Sequence, residues 1–394
     1  MSEWTHLQRR SGSSSSSGGG GGGSGSGGSS LGGVGGIFDQ FVERRRTGSI
    51  KFDKYAVDRG VPASRLQYRD VIPLWIADMD FQVPGCITEA LVARTQHPIY
   101  GYTAPDFAVK DAVRFYLSRA HGVSASDAQL VFLPGLVVAL NVVARVFASR
   151  GQSVMTATPI YPPFLSCAGH QGTTCIAVPL ANLSGRFTFD WEAMESAVAK
   201  ASDQENPVGV FLLCNPHNPI GKMYEREELL QLVAFCKRHD IVIVADEIHC
   251  DLVLPPPQGP SGSSSSSPPQ PPRHISLLAL GDAWVADNSI ALHAPSKTFN
   301  IAGLGASFAV IPSLQLRAAF KIAADGIMAD ISTFGFVAMR AAYEQDNVAE
   351  IADYSRELCA HLRANADLLH EWANCGVPSP EMVKFEHEHQ ATYL

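Results

Sequence analysis

The sequence contains no long apolar run and no block of basic residues. No stretch approaches the ~18 consecutive apolar residues that a membrane-spanning helix needs, so we expect no membrane partner. The chain carries 30 Lys and Arg against 38 Asp and Glu, which gives a net charge of −8. Because basic residues are neither in excess nor clustered, the sequence also predicts no nucleic-acid partner.

Cysteine pairs at metal-binding spacing are missing as well. The eight cysteines form no C-x-x-C pair, so the sequence predicts neither a zinc site nor a disulfide framework, and we assign no metal ligand. Such cysteines are typical of buried thiols in a reducing compartment. The N-terminus lacks the apolar segment of a secretory signal, and we expect a cytoplasmic protein. Organellar import is the alternative, because Arg9 and Arg10 precede a serine tract.

Two segments of low complexity differ from the rest of the chain. Residues 11–36 are almost entirely Gly and Ser, so residues 1–36 are predicted to form a disordered tail. Residues 255–272 combine proline runs with a serine tract, and we expect them to loop out as a surface insert. The remainder has the composition of a globular protein.

Apolar strands alternate with helices through the middle of the chain. Residues 208–214 and 241–245 are continuous apolar runs, and a helix over 225–239 is predicted between them. A strand over 129–133 is likewise followed by a helix over 136–148. Apolar strands that alternate with helices predict an α/β fold with a mostly parallel sheet between layers of helices.

Polar residues or glycine follow directly after five predicted strands, where open α/β sheets bind their ligands. Each residue by itself is explained by ordinary turn chemistry. Together they predict a binding site, and they are Gly135, Tyr161, Asn218, Asp246 and Lys297.

Lys297 lies in a polar turn, Ser296-Lys297-Thr298, between two apolar strand-like runs. An ammonium group in such a position is partly desolvated, which lowers its pKa and makes the amine available as a nucleophile. Lys297 is therefore the candidate nucleophile of the site.

The residue types at the strand ends are those of a pyridoxal 5'-phosphate site. The cofactor needs an amine for its Schiff base, for which Lys297 is the candidate. It needs a carboxylate that keeps the pyridine nitrogen protonated, for which Asp246 is placed. Asn218 suits the ring oxygen, and the aromatic face of Tyr161 suits stacking on the ring. We assign catalysis to Lys297 and Tyr161.

Several longer motifs extend this interpretation to a family. Residues 38–394 resemble fold-type I pyridoxal-phosphate enzymes of the class I/II aminotransferase superfamily, and within it they are most similar to the MalY/PatB group of cystathionine β-lyases. The motifs that carry the resemblance include Leu74-Trp75-Ile76-Ala77-Asp78-Met79-Asp80-Phe81, Asn215-Pro216-His217-Asn218-Pro219-Ile220-Gly221, Asp246-Glu247-Ile248-His249 and Ser296-Lys297-Thr298-Phe299-Asn300.

The resemblance implies an aspartate-aminotransferase-like architecture. Residues 37–85 would form an N-terminal arm and part of a small domain, and residues 86–325 the large cofactor-binding domain. Residues 326–394 would form an interdomain helix and a small α/β domain that we expect to be incomplete. The family's arginine for the substrate carboxylate is expected beyond the last residue of this sequence.

Further cofactor contacts are implied by the resemblance. Ser296 and the backbone amides of Gly135, Leu136 and Val137 would hold the phosphate, because a helix N-terminus favours an anion. Tyr102 would reach the phosphate of a partner subunit, which implies a homodimer with its sites at the interface.

The implied reaction is β-elimination from an amino-acid substrate, cystathionine or a cysteine S-conjugate, to pyruvate, ammonia and a thiol. His249, a further cofactor-binding candidate, lies where many aminotransferases have a tyrosine, and Gly305 lies where many have a cation for the phosphate. Both differences favour a lyase. Two alternatives stay open, namely an aminotransferase and a non-catalytic, cofactor-binding regulatory protein.

Overall fold

The computed structural model describes residues 36–53, 72–183, 185–257, 272–375 and 389–393. The predicted tail at 1–36, apart from Gly36, lies outside the described residues. So do most of the predicted insert at 255–272 and part of the predicted small domain, residues 376–388.

Strands alternate with helices through the middle of the chain, as the sequence predicts, and three successive helices follow from residue 314 onward. The helices are α1 (Gly85–Thr95), α2 (Phe107–His121), α3 (Leu136–Ala148), α4 (Pro162–His170), α5 (Trp191–Asp203), α6 (Arg226–Arg238), α7 (Ala283–Asn288), α8 (Leu314–Ala324), α9 (Thr333–Tyr343) and α10 (Val348–Cys375). The strands are β1 (Leu130–Leu133), β2 (Ser153–Thr158), β3 (Cys175–Pro179), β4 (Ala181–Leu183), β5 (Arg186–Thr188), β6 (Val208–Cys214), β7 (Val242–Asp246), β8 (Ser289–His293) and β9 (Ser307–Val310). Among the described residues, no helix combines the length and apolar character needed to cross a membrane.

Seven of the described strands form one sheet in the order β1-β9-β8-β7-β6-β2-β3, and β4 and β5 form a separate hairpin. Strands β3, β2, β6, β7 and β8 pair in parallel, whereas β9 runs antiparallel to both β8 and β1. Strand β1 therefore runs in the same direction as β8. The prediction of a mostly parallel sheet between helices is confirmed.

The sheet is buried on both faces, which explains the continuous apolar character of its central strands. Every residue of β6 is buried. Alternate side chains enter different cores: Val210 and Leu212 pack with α3 and α4, whereas Phe211 and Leu213 pack with α5 and α6. The helices on the two faces hold the sheet in place. The C-terminal ends of β1, β2, β3, β6, β7 and β8, which run in the same direction, lie along one edge of it.

The segment 74–81 crosses this edge and is tied down by Asn300, three residues after Lys297. The Asn300 side chain accepts a hydrogen bond from Met79 N at 3.0 Å and donates to Met79 O at 2.8 Å and Phe81 O at 3.0 Å. Its backbone is left-handed, with φ of 55°. Asparagine adopts this conformation more readily than most residues do.

The same segment is held from its other side by a cluster of ion pairs. Arg44 donates to both carboxylate oxygens of Asp78, at 3.0 and 2.8 Å, and its Nη1 lies 2.6 Å from Asp80 Oδ1. Lys51, whose side chain is buried, pairs with Asp80 at 2.8 Å. A bidentate arginine–carboxylate pair fixes orientation as well as distance, so the segment 74–81 is held in one position.

We predict that Asn300→Ala lowers the free energy of unfolding by about 2–4 kcal/mol, because three hydrogen bonds are lost and alanine is strained at positive φ. Asn300→Gly loses the same bonds without the strain and should recover about 1 kcal/mol of that loss. Urea unfolding followed by circular dichroism measures both values. Equal stability of the alanine variant and the wild type would contradict the role of Asn300.

Candidate active site

The five strand-end residues that the sequence selected lie in one cavity of about 590 Å³. They meet because β1, β2, β6, β7 and β8 all end at the same edge of the sheet. The wall opposite the strand ends comes from the segment 74–81. The lining includes Leu74, Trp75, Ile76, Ala77, Gly135, Leu136, Val137, Tyr161, Asn218, Asp246, His249, Ser296 and Lys297.

Lys297 follows β8 and is mostly enclosed by the cavity. Its Nζ donates a hydrogen bond to Ala77 O in the segment 74–81 at 2.7 Å. Burial lowers the pKa of the amine, although the nearby carboxylates of Asp78 and Asp246 oppose this effect. The structure therefore provides the partly desolvated lysine that the sequence predicted.

Asp246 is the last residue of β7 and is buried, with 5% of its surface exposed. Within the described part of the chain, its carboxylate accepts one hydrogen bond, from Ile248 N at 3.1 Å. Burial raises its pKa to about 7, and the neighbouring Glu247 charge adds to this while Lys297 opposes it. Such a carboxylate favours a cationic partner inside the cavity.

Glu247 lies next in sequence, but its side chain is in a different environment. It accepts a hydrogen bond from Leu277 N at 2.8 Å and lies 3.2 Å from His274 Nε2 and 3.5 Å from His293 Nε2. Burial alone would raise its pKa, but the two imidazoles and the amide outweigh burial and lower the pKa to about 2. The two adjacent carboxylates thus differ widely in acidity.

Tyr161 and Asn218 lie on neighbouring turns that are bonded to each other. Tyr161 N donates to Asn218 O at 3.1 Å, and the tyrosine side chain is about half exposed in the cavity. His217 connects the same turns: its Nε2 donates to Pro159 O at 2.7 Å, and its Nδ1 lies 2.9 Å from Tyr224 Oη. The motif around His217 predicts no role for this residue, because it does not reveal which turn the side chain contacts.

The N-terminus of α3 faces the cavity and has the features of an anion site. Gly135 precedes the helix without a side-chain cap, and a Cβ at this position would meet no atom within 4 Å. Ser296 lines the cavity at the same end of the sheet. Among the described residues that line the cavity, Lys297 is the single lysine or arginine, in line with the uncharged Gly305.

His249 is almost fully buried beside Lys297. Its Nδ1 has no hydrogen-bond partner among the described residues. Burial lowers its pKa to about 3, and the charge of Lys297 contributes, so the imidazole is neutral at physiological pH. Tyr102 differs from the other candidates because it is fully exposed and lies outside the cavity lining.

This donor set fits pyridoxal 5'-phosphate. A buried carboxylate with a raised pKa suits the cationic ring nitrogen, and the unpartnered His249 Nδ1 is a polar atom beside the site. The uncapped N-terminus of α3 suits the phosphate, and Lys297 provides the amine.

Comparison with known proteins points to one family. The pattern of the family described as aminotransferase class I and II matches residues 69–377. Cystathionine beta-lyase PatB of Bacillus subtilis is 34% identical over 88% of this chain and 81% of its own length.

Solved structures agree with this relationship. The crystal structure of OvoB is 36% identical, with a TM-score of 0.70 over 86% of this chain and 79% of the other. The PLP-bound C-S lyase from Staphylococcus hominis is 25% identical, with a TM-score of 0.71 over 88% of this chain and 78% of the other. From the match over most of its length, this chain belongs to the class I and II aminotransferase family.

Proposed function

We propose that this protein is a pyridoxal-phosphate-dependent carbon–sulfur β-lyase. It would cleave cystathionine or a cysteine S-conjugate to pyruvate, ammonia and a thiol. The proposal rests on one observation: a single cavity beside the N-terminus of α3 is lined by Lys297, Asp246, Asn218 and Tyr161. Support for the reaction type comes from PatB, named a cystathionine beta-lyase, and from the structure named a C-S lyase.

Each residue has a separate task in this reaction. Bound pyridoxal phosphate supplies an electron sink for the electrons released at the substrate Cα. Lys297 would hold the cofactor through its amine and would take the proton from the substrate Cα, because burial favours the neutral form of the amine. Asp246 would keep the ring nitrogen protonated, and the face of Tyr161 would support the ring.

Two features favour elimination over amino transfer. The position next to the ring oxygen is assigned to a neutral histidine, His249, instead of the tyrosine of many aminotransferases. Gly305, which lines the cavity, replaces a cation at the phosphate end. The experiments below therefore measure both reactions.

Lys297→Ala should lower pyruvate release from cystathionine by at least about 10³-fold, because both the attachment point of the cofactor and the general base are lost. The wild type should form pyruvate and ammonia in equal amounts without an added 2-oxo acid. Lys321→Ala, on the outer helix α8, is the matched control and should keep wild-type activity. Equal rates for wild type and Lys297→Ala would refute the assignment, and turnover that requires an added oxo acid would identify an aminotransferase.

Asp246→Asn should stabilise the cofactor-free protein while it weakens cofactor binding. The pKa of Asp246 rises from 3.8 to about 7 on folding. The protein is therefore most stable below the unfolded pKa, where the carboxyl is protonated, and it loses stability as the pH rises through the folded pKa and the buried carboxyl ionises. At about pH 8 we expect the variant to gain about 1–3 kcal/mol, roughly 5 °C in melting temperature, and the gain to shrink toward about pH 5.

Glu247→Gln is the matched control for this experiment, since the adjacent pKa is lowered to about 2 and the sign is opposite. It should lower the melting temperature at about pH 8, because a stabilised charge is removed. Calorimetric melts with and without cofactor test both variants. A destabilising Asp246→Asn change in the cofactor-free protein would contradict the environment described for Asp246.

We also propose that the enzyme is a cytoplasmic homodimer in which Tyr102 reaches the partner's site. Full exposure of Tyr102, outside the lining of its own cavity, supports this arrangement. The seven described cysteines are free, as is usual in a reducing compartment, which supports the location.

Mixed dimers test the role of Tyr102. Tyr102→Ala and Lys297→Ala, each nearly inactive alone, should recover about a quarter of wild-type activity when they are unfolded and refolded together, because half of the dimers are mixed and each carries one intact site. Two Lys297→Ala batches refolded together are the control. If Tyr102 acted within its own subunit, the mixture would recover nothing.

A further inference from the structure

A second group of buried polar side chains lies behind the active site. Its members are His121 at the end of α2, His293 at the end of β8, and the neighbours Cys250 and Asp251 after β7; we refer to these four as the donor cluster. Cys250 and His293 are buried, and the His121 side chain is 3% exposed. The proposed reaction uses none of them.

The atoms of the donor cluster have the separations of a metal site. Cys250 Sγ lies 3.5 Å from His121 Nε2 and 3.9 Å from His293 Nδ1, and His121 Nε2 lies 3.4 Å from Asp251 Oδ1. The ligand atoms of His121, Cys250 and Asp251 all lie within 4.8 Å of one another. Ligands bound to Zn²⁺ at ~2.0–2.3 Å in a tetrahedron are about 3.3–3.6 Å apart, which is close to the separations that link His121, Cys250 and Asp251. His293 is outside this mutually close set, and its imidazole has to move toward the other three donors to bind the same ion.

Neighbouring groups orient the donors as they do in known metal centres. The imidazole of His293 has Nδ1 3.9 Å from Cys250 Sγ and Nε2 3.5 Å from Glu247 Oε2, the second contact without the geometry of a hydrogen bond. A carboxylate behind a ligating histidine is the usual outer partner in zinc sites. Glu247 is fully buried and lies on the side of the His293 ring that faces away from Cys250, so it is placed for this role.

Asp251 is oriented in a similar way. Tyr116 Oη donates to Asp251 Oδ2 at 2.8 Å, and Thr298 Oγ1 donates to the same oxygen at 3.4 Å. Both hydroxyls act on Oδ2, while Oδ1 faces His121 Nε2. One carboxylate oxygen is therefore fixed by hydrogen bonds and the other is directed at the cluster. Tyr116 Oη also lies 2.9 Å from His121 Nε2 and 3.4 Å from Cys250 Sγ, so a bound ion would take over these two contacts.

We propose that the donor cluster binds one zinc-type divalent cation through His121 Nε2, Cys250 Sγ and Asp251 Oδ1, with His293 Nδ1 as the fourth ligand once its imidazole moves toward the ion. One thiolate, two imidazoles and one carboxylate form a donor set that zinc prefers. Cys250 Sγ and His121 Nε2 give up to solvent the protons that they carry when the metal binds. A cavity of about 150 Å³ lies next to the cluster and is lined by Tyr116 and Asp251 among others.

This centre would stabilise the active site without taking part in the chemistry. It would join α2 to the chain after β7 and to the end of β8, four residues before Lys297. The sequence predicted no metal ligand because the donors come from three distant segments with no C-x-x-C spacing. The proposal does not depend on the proposed lyase activity.

The test measures zinc in the cofactor-loaded chain after incubation with zinc chloride and desalting. We expect about one zinc per chain for the wild type and at least tenfold less for Cys250→Ala. Cys236→Ala is the matched control, because Cys236 is also a buried cysteine but lies on α6, in the core that α5 and α6 form with the sheet. Lys297→Ala should also keep the zinc, which separates this centre from the cofactor pocket.

Cobalt substitution gives a second readout that does not depend on folding of the Cys250 variant. Wild-type protein with Co²⁺ should show a thiolate-to-cobalt charge-transfer band, and saturating zinc should remove the band and raise the melting temperature by about 5 °C. Less than about 0.1 zinc per wild-type chain, or equal zinc in Cys250→Ala, would overturn the proposal. In that case the cluster is a hydrogen-bonded contact between α2 and the sheet.

Discussion

The desolvation of ionisable groups at one edge of the sheet is the constraint on which the rest of the structure depends. Lys297 and Asp246 are held where burial favours the neutral form of each. Burying such groups costs free energy, and the two apolar layers around the sheet offset this cost. The same burial makes the lysine a nucleophile and leaves the aspartate without a cationic partner. Binding of the cofactor would relieve the free-energy cost of burying these groups, so that cost would contribute to the affinity for the cofactor.

The segment 74–81 completes the pocket that strand ends alone would leave open. It is bonded to Lys297 through Ala77, to Asn300 through Met79 and Phe81, and to Arg44 through Asp78. The contacts with Lys297 and Asn300 join parts of the chain that are more than two hundred residues apart in sequence. The lysine turn therefore carries the reactive amine and also positions the wall that partly excludes water from it.

Behind the pocket, polar side chains replace the apolar core that packs most of the sheet. Glu247 joins His274 and His293, and Asp251 joins Tyr116 and Thr298. Most buried polar groups in proteins are hydrogen-bonded, but here Glu247 Oε2, His293 Nε2 and both ring nitrogens of His274 have no hydrogen-bond partner among the described residues, so this region is held by charge as well as by hydrogen bonds. It lies directly after β7 and β8, which deliver Asp246 and Lys297, and any change in it is expected to reach the active site.

The sequence by itself determined the strand–helix alternation, the burial of the central strands, and the residues at the strand ends, because hydrophobic period and turn chemistry are local properties. It did not reveal the half-exposed edge strand β3 or the β4–β5 hairpin, whose apolar patterns are weak. Only the tertiary structure decided that Asp246 and Glu247, neighbours in sequence, have opposite pKa shifts. It also brought His121 to Cys250, since proximity across 129 positions depends on how α2 packs on the sheet.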